Sequence, residues 1–205
     1  ELAIAFEHAN HRKVEENNVT YYPFNISKSR LKRLQRIFSP NIEEKLIIDQ
    51  SLKIIDDYKP DIIHVFGSEW WYGLVVKYTN IPVVIHMQGS LPAYYNARYP
   101  AGYSSIDVYI YNFFKLRALF NHIINSYHFK YGSIREERVL KSCKNFMGRT
   151  TWDKAITRLY APDSNYFHCN EALREVFINE KIELRKPFSK DVITITSTIS
   201  NPLYK

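Results

Sequence analysis

Two short apolar runs stand out from the polar background of the chain: Asp61-Ile62-Ile63-His64-Val65-Phe66 and Ile81-Pro82-Val83-Val84-Ile85-His86-Met87. Both are β-branched and lack polar alternation, the pattern of strands covered on both faces of a parallel sheet. Between them, Glu69 to Thr79 is long enough for a crossover helix. Before them, Ile48, Leu52, Ile55 and Tyr58 recur at spacings of four, three and three, which is one stripe of an amphipathic helix. Lys59-Pro60 ends that helix, because the residue before a proline is pushed out of the α region.

The unit recurs further on. Asn145-Phe146-Met147 reads as a strand and Thr151 to Tyr160 as its helix; Asn165 to Cys169 reads as a strand and Glu171 to Phe177 as its helix. Val192 to Thr196 closes the series as a strand. Longer helices are expected over Ile106 to Tyr127 and Ser133 to Cys143. Strand–helix alternation of this kind predicts an α/β fold, a doubly wound parallel sheet with right-handed crossovers. No internal repeat or low-complexity tract competes with that reading.

Composition narrows the picture. At 205 residues, 45% hydrophobic and 24% charged, the chain has the balance of an ordinary globular domain with apolar mass for a core. Cys143 and Cys169 are its only thiols, which excludes a disulfide scaffold and fits a reducing, cytoplasmic compartment. Ile106 to Phe129, the most apolar long stretch, is interrupted by Asp107, Lys115, Arg117 and His122 and is no membrane span. A formal charge of +7 suggests an anionic partner, or serves solubility alone. Nucleic acid is not the expected partner, because the basic residues are spread along the chain without a recognition-helix or RNA-binding pattern.

In an open α/β sheet, ligands bind beyond the carboxyl ends of the strands. Those ends carry Gly67-Ser68-Glu69, Gln88-Gly89-Ser90, Gly148-Arg149-Thr150 with Asp153, and Asn170-Glu171 with Arg174. Of only six glycines, three (Gly67, Gly89 and Gly148) fall at these ends, where glycine permits a sharp turn and close approach of a ligand. Helix capping alone accounts for Ser68, Thr150 and Asn170 taken singly, and Thr150 with Asp153 has capping-box spacing. It does not account for Gln88, Arg149, Glu171 and Arg174, so a polar cleft along one sheet edge is the expectation.

Other chemistries lack their motifs. There is no G-x-G-x-x-G after a strand, no Walker lysine, no H-E-x-x-H, no G-x-S-x-G elbow and no Asp-x-Asp clamp. His64 and His86 lie in neighbouring strands and are expected to be core histidines satisfied by hydrogen bonds. His8 and His11 are too few for a metal site. The segment Ser27 to Phe38 interleaves Lys28, Arg30, Lys32, Arg33 and Arg36 with Leu31, Leu34, Ile37 and Phe38. That spacing suits either a surface helix packed on the sheet or a basic amphipathic helix lying on an anionic membrane.

At Asp61-Ile62-Ile63-His64-Val65-Phe66-Gly67-Ser68-Glu69, Gly148-Arg149-Thr150-Thr151-Trp152-Asp153 and Asn170-Glu171-Ala172-Leu173-Arg174-Glu175-Val176-Phe177, the chain resembles the amino-terminal half of retaining glycosyltransferases of the GT-B fold, family 4. Within these it is similar to a bacterial subgroup active in polysaccharide biosynthesis. The resemblance implies a Rossmann-like, acceptor-side domain over residues 1–190, with residues 191–205 leading into a carboxyl-terminal domain that binds the nucleotide-sugar donor. The family's first strand and Gly-rich loop are expected before Glu1, and the domain end at Lys205 reads as a cut, so the chain alone is expected to be inactive.

The resemblance further implies sugar transfer with retention to a glycan or lipid-linked acceptor, with no cofactor and no metal, at the inner face of the cytoplasmic membrane. Gln88 takes the place of the family's usual histidine, keeping a hydrogen-bonding role without a proton role. Gln88 and Glu69 are the expected catalytic positions. Gly67, Ser68, Gly89, Gly148, Arg149, Thr150, Asp153, Asn170, Glu171 and Arg174 are expected to contact substrate, and Lys205 the donor diphosphate. The alternative is a non-catalytic α/β domain that uses the same edge to bind or sense a small anion.

Overall fold

A computed structural model describes residues 1–9, 12–25, 40–170, 172, 175 and 178, side chains of residues 40 and 41 excepted. Residues 1–170 form one compact unit. The strand expected at Val192 to Thr196, the segment Ser27 to Phe38, the boundary at residue 190 and, apart from residues 172 and 175, the helix expected at Glu171 to Phe177 lie outside the described residues.

The unit is mixed α/β. Its main element is a four-stranded, wholly parallel sheet of β4 (Ile63–Phe66), β5 (Val83–His86), β6 (Asn145–Gly148) and β7 (Asn165–His168), in that spatial order. The register sets Val65 beside Ile85 and Ile85 beside Phe146, so Val65, Ile85 and Phe146 line one face. That face is the core. Ile47 and Ile48 of α1 (Pro40–Tyr58), Leu74 and Val75 of a 3-10 helix (Trp71–Lys77), and Val139 and Leu140 of α4 (Leu116–Ser142) bury against it. Ile156 and Tyr160 of α5 (Thr151–Tyr160) pack at its margin.

Cover on the other face is uneven: β5 is buried there at His86, as expected of a strand covered on both faces, whereas β4 leaves that face exposed among the described residues. His64, Phe66 and His86 lie on it, and the Phe66 side chain is 69% exposed. The strand order supplies the reason. Each crossover from β4 to β7 steps in the same direction across the sheet, and right-handed crossovers taken in one direction place every connecting helix on the same side. Covering the second face requires a reversal of strand order, and the described part of this sheet contains none. Among the described residues the architecture is therefore mixed α/β, a four-stranded parallel sheet flanked by helices.

A second, three-stranded sheet precedes it, with order β1-β3-β2, so the described unit does not consist of a single sheet. β1 (Leu2–Glu7) runs parallel to β3 (Val19–Phe24), and β2 (Val14–Glu16) pairs with β3 as a hairpin. Asn17 and Asn18 both take positive φ, 53° and 62°, as a two-residue hairpin turn demands and as asparagine tolerates best among residues with a side chain. Tyr22 and Phe24 turn inward from β3. The Tyr22 hydroxyl donates to Asp57 at 2.6 Å, and Phe24 packs edge-on to Tyr72, tying this sheet to α1 and the 3-10 helix.

Element boundaries follow local chemistry. α1 ends at Tyr58, and Lys59 enters the left-handed region with its N–H bonded to the Ile55 carbonyl at 2.8 Å, a C-terminal cap closed by lysine in place of glycine. The crossover over Glu69 to Thr79 is a 3-10 helix, not an α-helix: it is short, β-branched at Val75-Val76, and pressed so closely on α4 that a Cβ at Gly73 would lie 2.5 Å from Val139. The two helices expected at Ile106 to Tyr127 and Ser133 to Cys143 divide elsewhere. α3 (Ser105–Tyr111) stops where the Asn112 amide caps the Val108 carbonyl at 2.9 Å, and α4 then runs unbroken to Ser142. Gly132 is tolerated inside α4, where the backbone passes close to Leu91 of α2 (Leu91–Asn96).

Candidate active site at the strand ends

Because β4 to β7 are parallel, the segments that follow Phe66, His86, Gly148 and His168 all emerge on one edge of the sheet. The first three bring together the expected site residues. Gly67 has φ of +90°, a conformation glycine adopts without strain, and a Cβ there would run into the Glu69 carboxylate. The same carboxylate reaches to 3.9 Å from the place a Cβ would occupy on Gly89. Glu69 thus spans the two glycine turns after β4 and β5. Arg135 of α4 holds its backbone, donating from Nε to the Glu69 carbonyl at 2.6 Å while its guanidinium stacks on Trp70 at 4.4 Å.

After β5, several polar atoms have no partner among the described residues. Gln88 Nε2 and Ser90 Oγ are buried without a hydrogen bond among the described residues, as is Nε2 of His86. Groups of this kind cost free energy when dry, so they mark places where water or a ligand completes the bonding. The expectation that His64 and His86 are satisfied core residues is corrected here. Their rings stack at 5.5 Å and 25°, with Phe66 edge-on to His86, and burial with the neighbouring His86 holds the His64 imidazole below its ordinary value.

After β6, the local chemistry is structural. Thr150 caps α5: its Oγ1 accepts from the Asp153 N–H at 3.0 Å, and one Asp153 carboxylate oxygen accepts from the N–H groups of Arg149 and Thr150, each at 3.0 Å. The capping box foreseen from the Thr150–Asp153 spacing is therefore present, and Asp153 shapes the turn that presents Arg149. Gly148 leaves room for the Tyr166 hydroxyl and Asp153, which would stand 2.8 and 3.0 Å from a Cβ. After β7, Asn170 pairs through Oδ1 with His168 Nε2 at 3.1 Å. Glu171, Arg174 and Lys205 lie outside the described residues.

Ser68 does not cap the 3-10 helix, whose N-cap is Trp70 without a side-chain bond. Its hydroxyl is fully buried and donates at 2.5 Å to Glu136, a residue that the sequence reading passed over. The second Glu136 carboxylate oxygen accepts from the Leu91 N–H at 2.6 Å. One carboxylate therefore joins the turn after β4 to the turn after β5 and caps α2, where Ser90 at the N-cap makes no side-chain bond. Burial pushes its carboxyl above the ordinary value, and the bonds from Ser68 and Leu91 pull it partway back. The signal was available: Gly132, Ser133, Glu136, Val139 and Leu140 follow a helical spacing along the buried side of α4, and a glutamate in such a stripe needs a partner.

Among the described residues no three His, Cys, Asp or Glu side chains gather as metal ligands, and no helix is long and apolar enough to cross a membrane. Comparison with protein-family models, curated proteins and solved structures found no match.

Proposed function

We propose that this chain is the acceptor-side domain of a glycosyltransferase that moves a sugar from a nucleotide-sugar to a glycan or lipid-linked acceptor with retention. The observation that carries the reading is the edge formed by Glu69, Gln88 and the two glycines Gly67 and Gly89. A carboxylate lies across two glycine turns, and on the turn after β5 stands the Gln88 amide, whose N–H2 has no hydrogen-bond partner among the described residues. A polyol needs this pairing: the carboxylate accepts from sugar hydroxyls, the amide donates to them, and glycine lets the ring approach the backbone. The stretches at Gly148 to Asp153 and Asn170 to Phe177 add the family resemblance, from which the retaining outcome comes.

On this reading Glu69 and Gln88 touch the transferring sugar: Gln88, which has no titrating proton, hydrogen-bonds its hydroxyls, and the Glu69 carboxylate faces the oxocarbenium-like centre. Arg149, on the turn that Asp153 holds, offers a cation to an anionic acceptor or to the departing diphosphate. The reading is tested on the complete gene product, of which this chain is all or part, with a panel of nucleotide-sugars and a lipid-linked acceptor. Glu69→Gln and Gln88→Ala should each lower kcat/KM by about a hundredfold, the scale of one lost transition-state contact. No turnover with any donor, combined with phosphate binding that Arg149→Gln abolishes, would favour the small-anion domain instead.

A further inference from the structure

Beyond the strand-end edge, α3, α4 and the turn between them carry an unusual surface. Tyr111, Phe114 and Leu116 are 74%, 93% and 76% exposed, and Ile106, Ile110, Phe113, Phe120 and Ile123 are exposed beside them. An apolar hollow of about 470 Å³ opens among Tyr109, Ile110, Phe113, Leu119 and Ile123. Single exposed hydrophobes need no explanation, but a contiguous cluster of this size marks an interaction surface.

The charges on this surface indicate its partner. From Val108 to Arg135 the chain contains no Asp or Glu, while Lys115, Arg117 and Lys130 supply positive charge. The preceding carboxylate in the chain, Asp107, is turned to the N-terminus of α3, where it accepts from both the backbone N–H and the hydroxyl of Ser104. Lys115 lies 4.5 Å over the Tyr111 ring, so a cation and an amphipathic aromatic share the same tip. A surface for a protein partner would be expected to mix both signs of charge. Aromatic side chains beside Lys115 and Arg117, which outnumber the single carboxylate of α3, match an anionic lipid headgroup layer over acyl chains.

We propose that the α3–α4 tip docks onto an anionic lipid bilayer, with Phe114 and Leu116 entering the headgroup–acyl boundary and Lys115 and Arg117 against the phosphates. The contact lies on a different segment from Ser27 to Phe38 and does not depend on the transferase reading. The test is sedimentation of the 205-residue chain with vesicles of equal parts phosphatidylglycerol and phosphatidylcholine, against vesicles of phosphatidylcholine alone.

The wild type should bind the anionic vesicles and scarcely the neutral ones. Lys115→Gln with Arg117→Gln should weaken binding about 25-fold, roughly fivefold per charge. Phe114→Ser with Leu116→Ser should weaken it about tenfold or more while leaving the circular dichroism melt unchanged. Wild-type protein that stays in the supernatant overturns the proposal, as does equal binding by the serine variant. A wild-type dimer in ultracentrifugation that both variants dissolve also overturns it, by assigning the surface to a second copy.

Discussion

The two halves of α4 belong to one continuous helix and obey opposite rules. In the carboxyl-terminal half a helical stripe of Gly132, Ser133, Glu136, Val139 and Leu140 is buried, so that polar and even ionisable groups sit inside. In the amino-terminal half Leu116, Phe120 and Ile123 are exposed, so that apolar groups sit outside. Helix propensity does not separate them. The difference lies in what each half meets: the second half packs on the 3-10 helix, on the core face of the sheet and on Leu91 of α2, whereas the first half meets Tyr99 and Tyr109 through His122 and leaves its apolar side chains in water. Burial is set by the neighbour a residue finds, and hydrophobicity decides only what that neighbour is worth.

The comparison breaks most readily at Glu136. Glu136→Leu removes the acceptor for the Ser68 hydroxyl and the Leu91 N–H and leaves both donors buried and unpaired, at about 2–4 kcal/mol in urea denaturation. Glu136→Gln can accept from one and donate to the other, and should cost under about 1 kcal/mol. A Glu136→Leu protein as stable as the wild type would show that the carboxylate is not the link between the two turns. Gly73→Ala probes the same half from the opposite side. Its Cβ would meet Val139 at 2.5 Å and Ile85 at 2.9 Å, and overpacking of this kind costs about 1–3 kcal/mol.

Acidity sharpens the contrast between this buried carboxylate and an exposed one. Burial holds the Glu136 carboxyl above its ordinary value of 4.5, so the folded chain binds that proton more tightly than the unfolded one. The stability it contributes is fully present below pH 4.5 and is lost as pH rises through the folded value. Asp57 behaves in the opposite sense. Hydrogen bonds from Lys13 and Tyr22 hold its carboxyl below 3.8, so its contribution is present above that pH and is lost as pH falls through the folded value. Melting temperature followed against pH should show Glu136→Gln flattening the decline on the neutral side and Asp57→Asn flattening only the acid limb. Identical profiles for the two variants would contradict both assignments.

How much of this was legible beforehand differs by element. The strands of the parallel sheet were, because β-branched runs such as Val83-Val84-Ile85 leave few alternatives, and the α5 cap was, because Thr150 and Asp153 stand three apart. The second sheet escaped notice although Asn17-Asn18 between Val14 and Tyr22 is a hairpin signal; its strands are short, and attention to long apolar runs passes over them. The edge that gathers Gly67, Glu69, Gln88 and Gly148 followed from parallel topology alone. Glu136 did not, because its partners lie 68 and 45 residues away and no local pattern names them. Nor does local sequence tell which faces of a sheet or helix find cover, as Phe66 and the first half of α4 demonstrate.

The smallest expected effect is at Phe120, and it tests the comparison from its exposed side. Full burial of a phenylalanine is worth about 1.5–3 kcal/mol, and Phe120 keeps 62% of its surface in water, so truncation to alanine forfeits about 1 kcal/mol or less. Alanine is the better helix former by about half a kcal/mol, which offsets most of that loss. Phe120→Ala should therefore change the free energy of unfolding by no more than about 0.5 kcal/mol. Leu140→Ala, in the same helix but fully buried, should cost about 2–5 kcal/mol. The pair is measured under identical urea titrations, so errors of extrapolation largely cancel. Should Phe120→Ala prove as costly as Leu140→Ala, the amino-terminal half of α4 would be packed in solution, and the exposed aromatic surface would belong to an interface already formed.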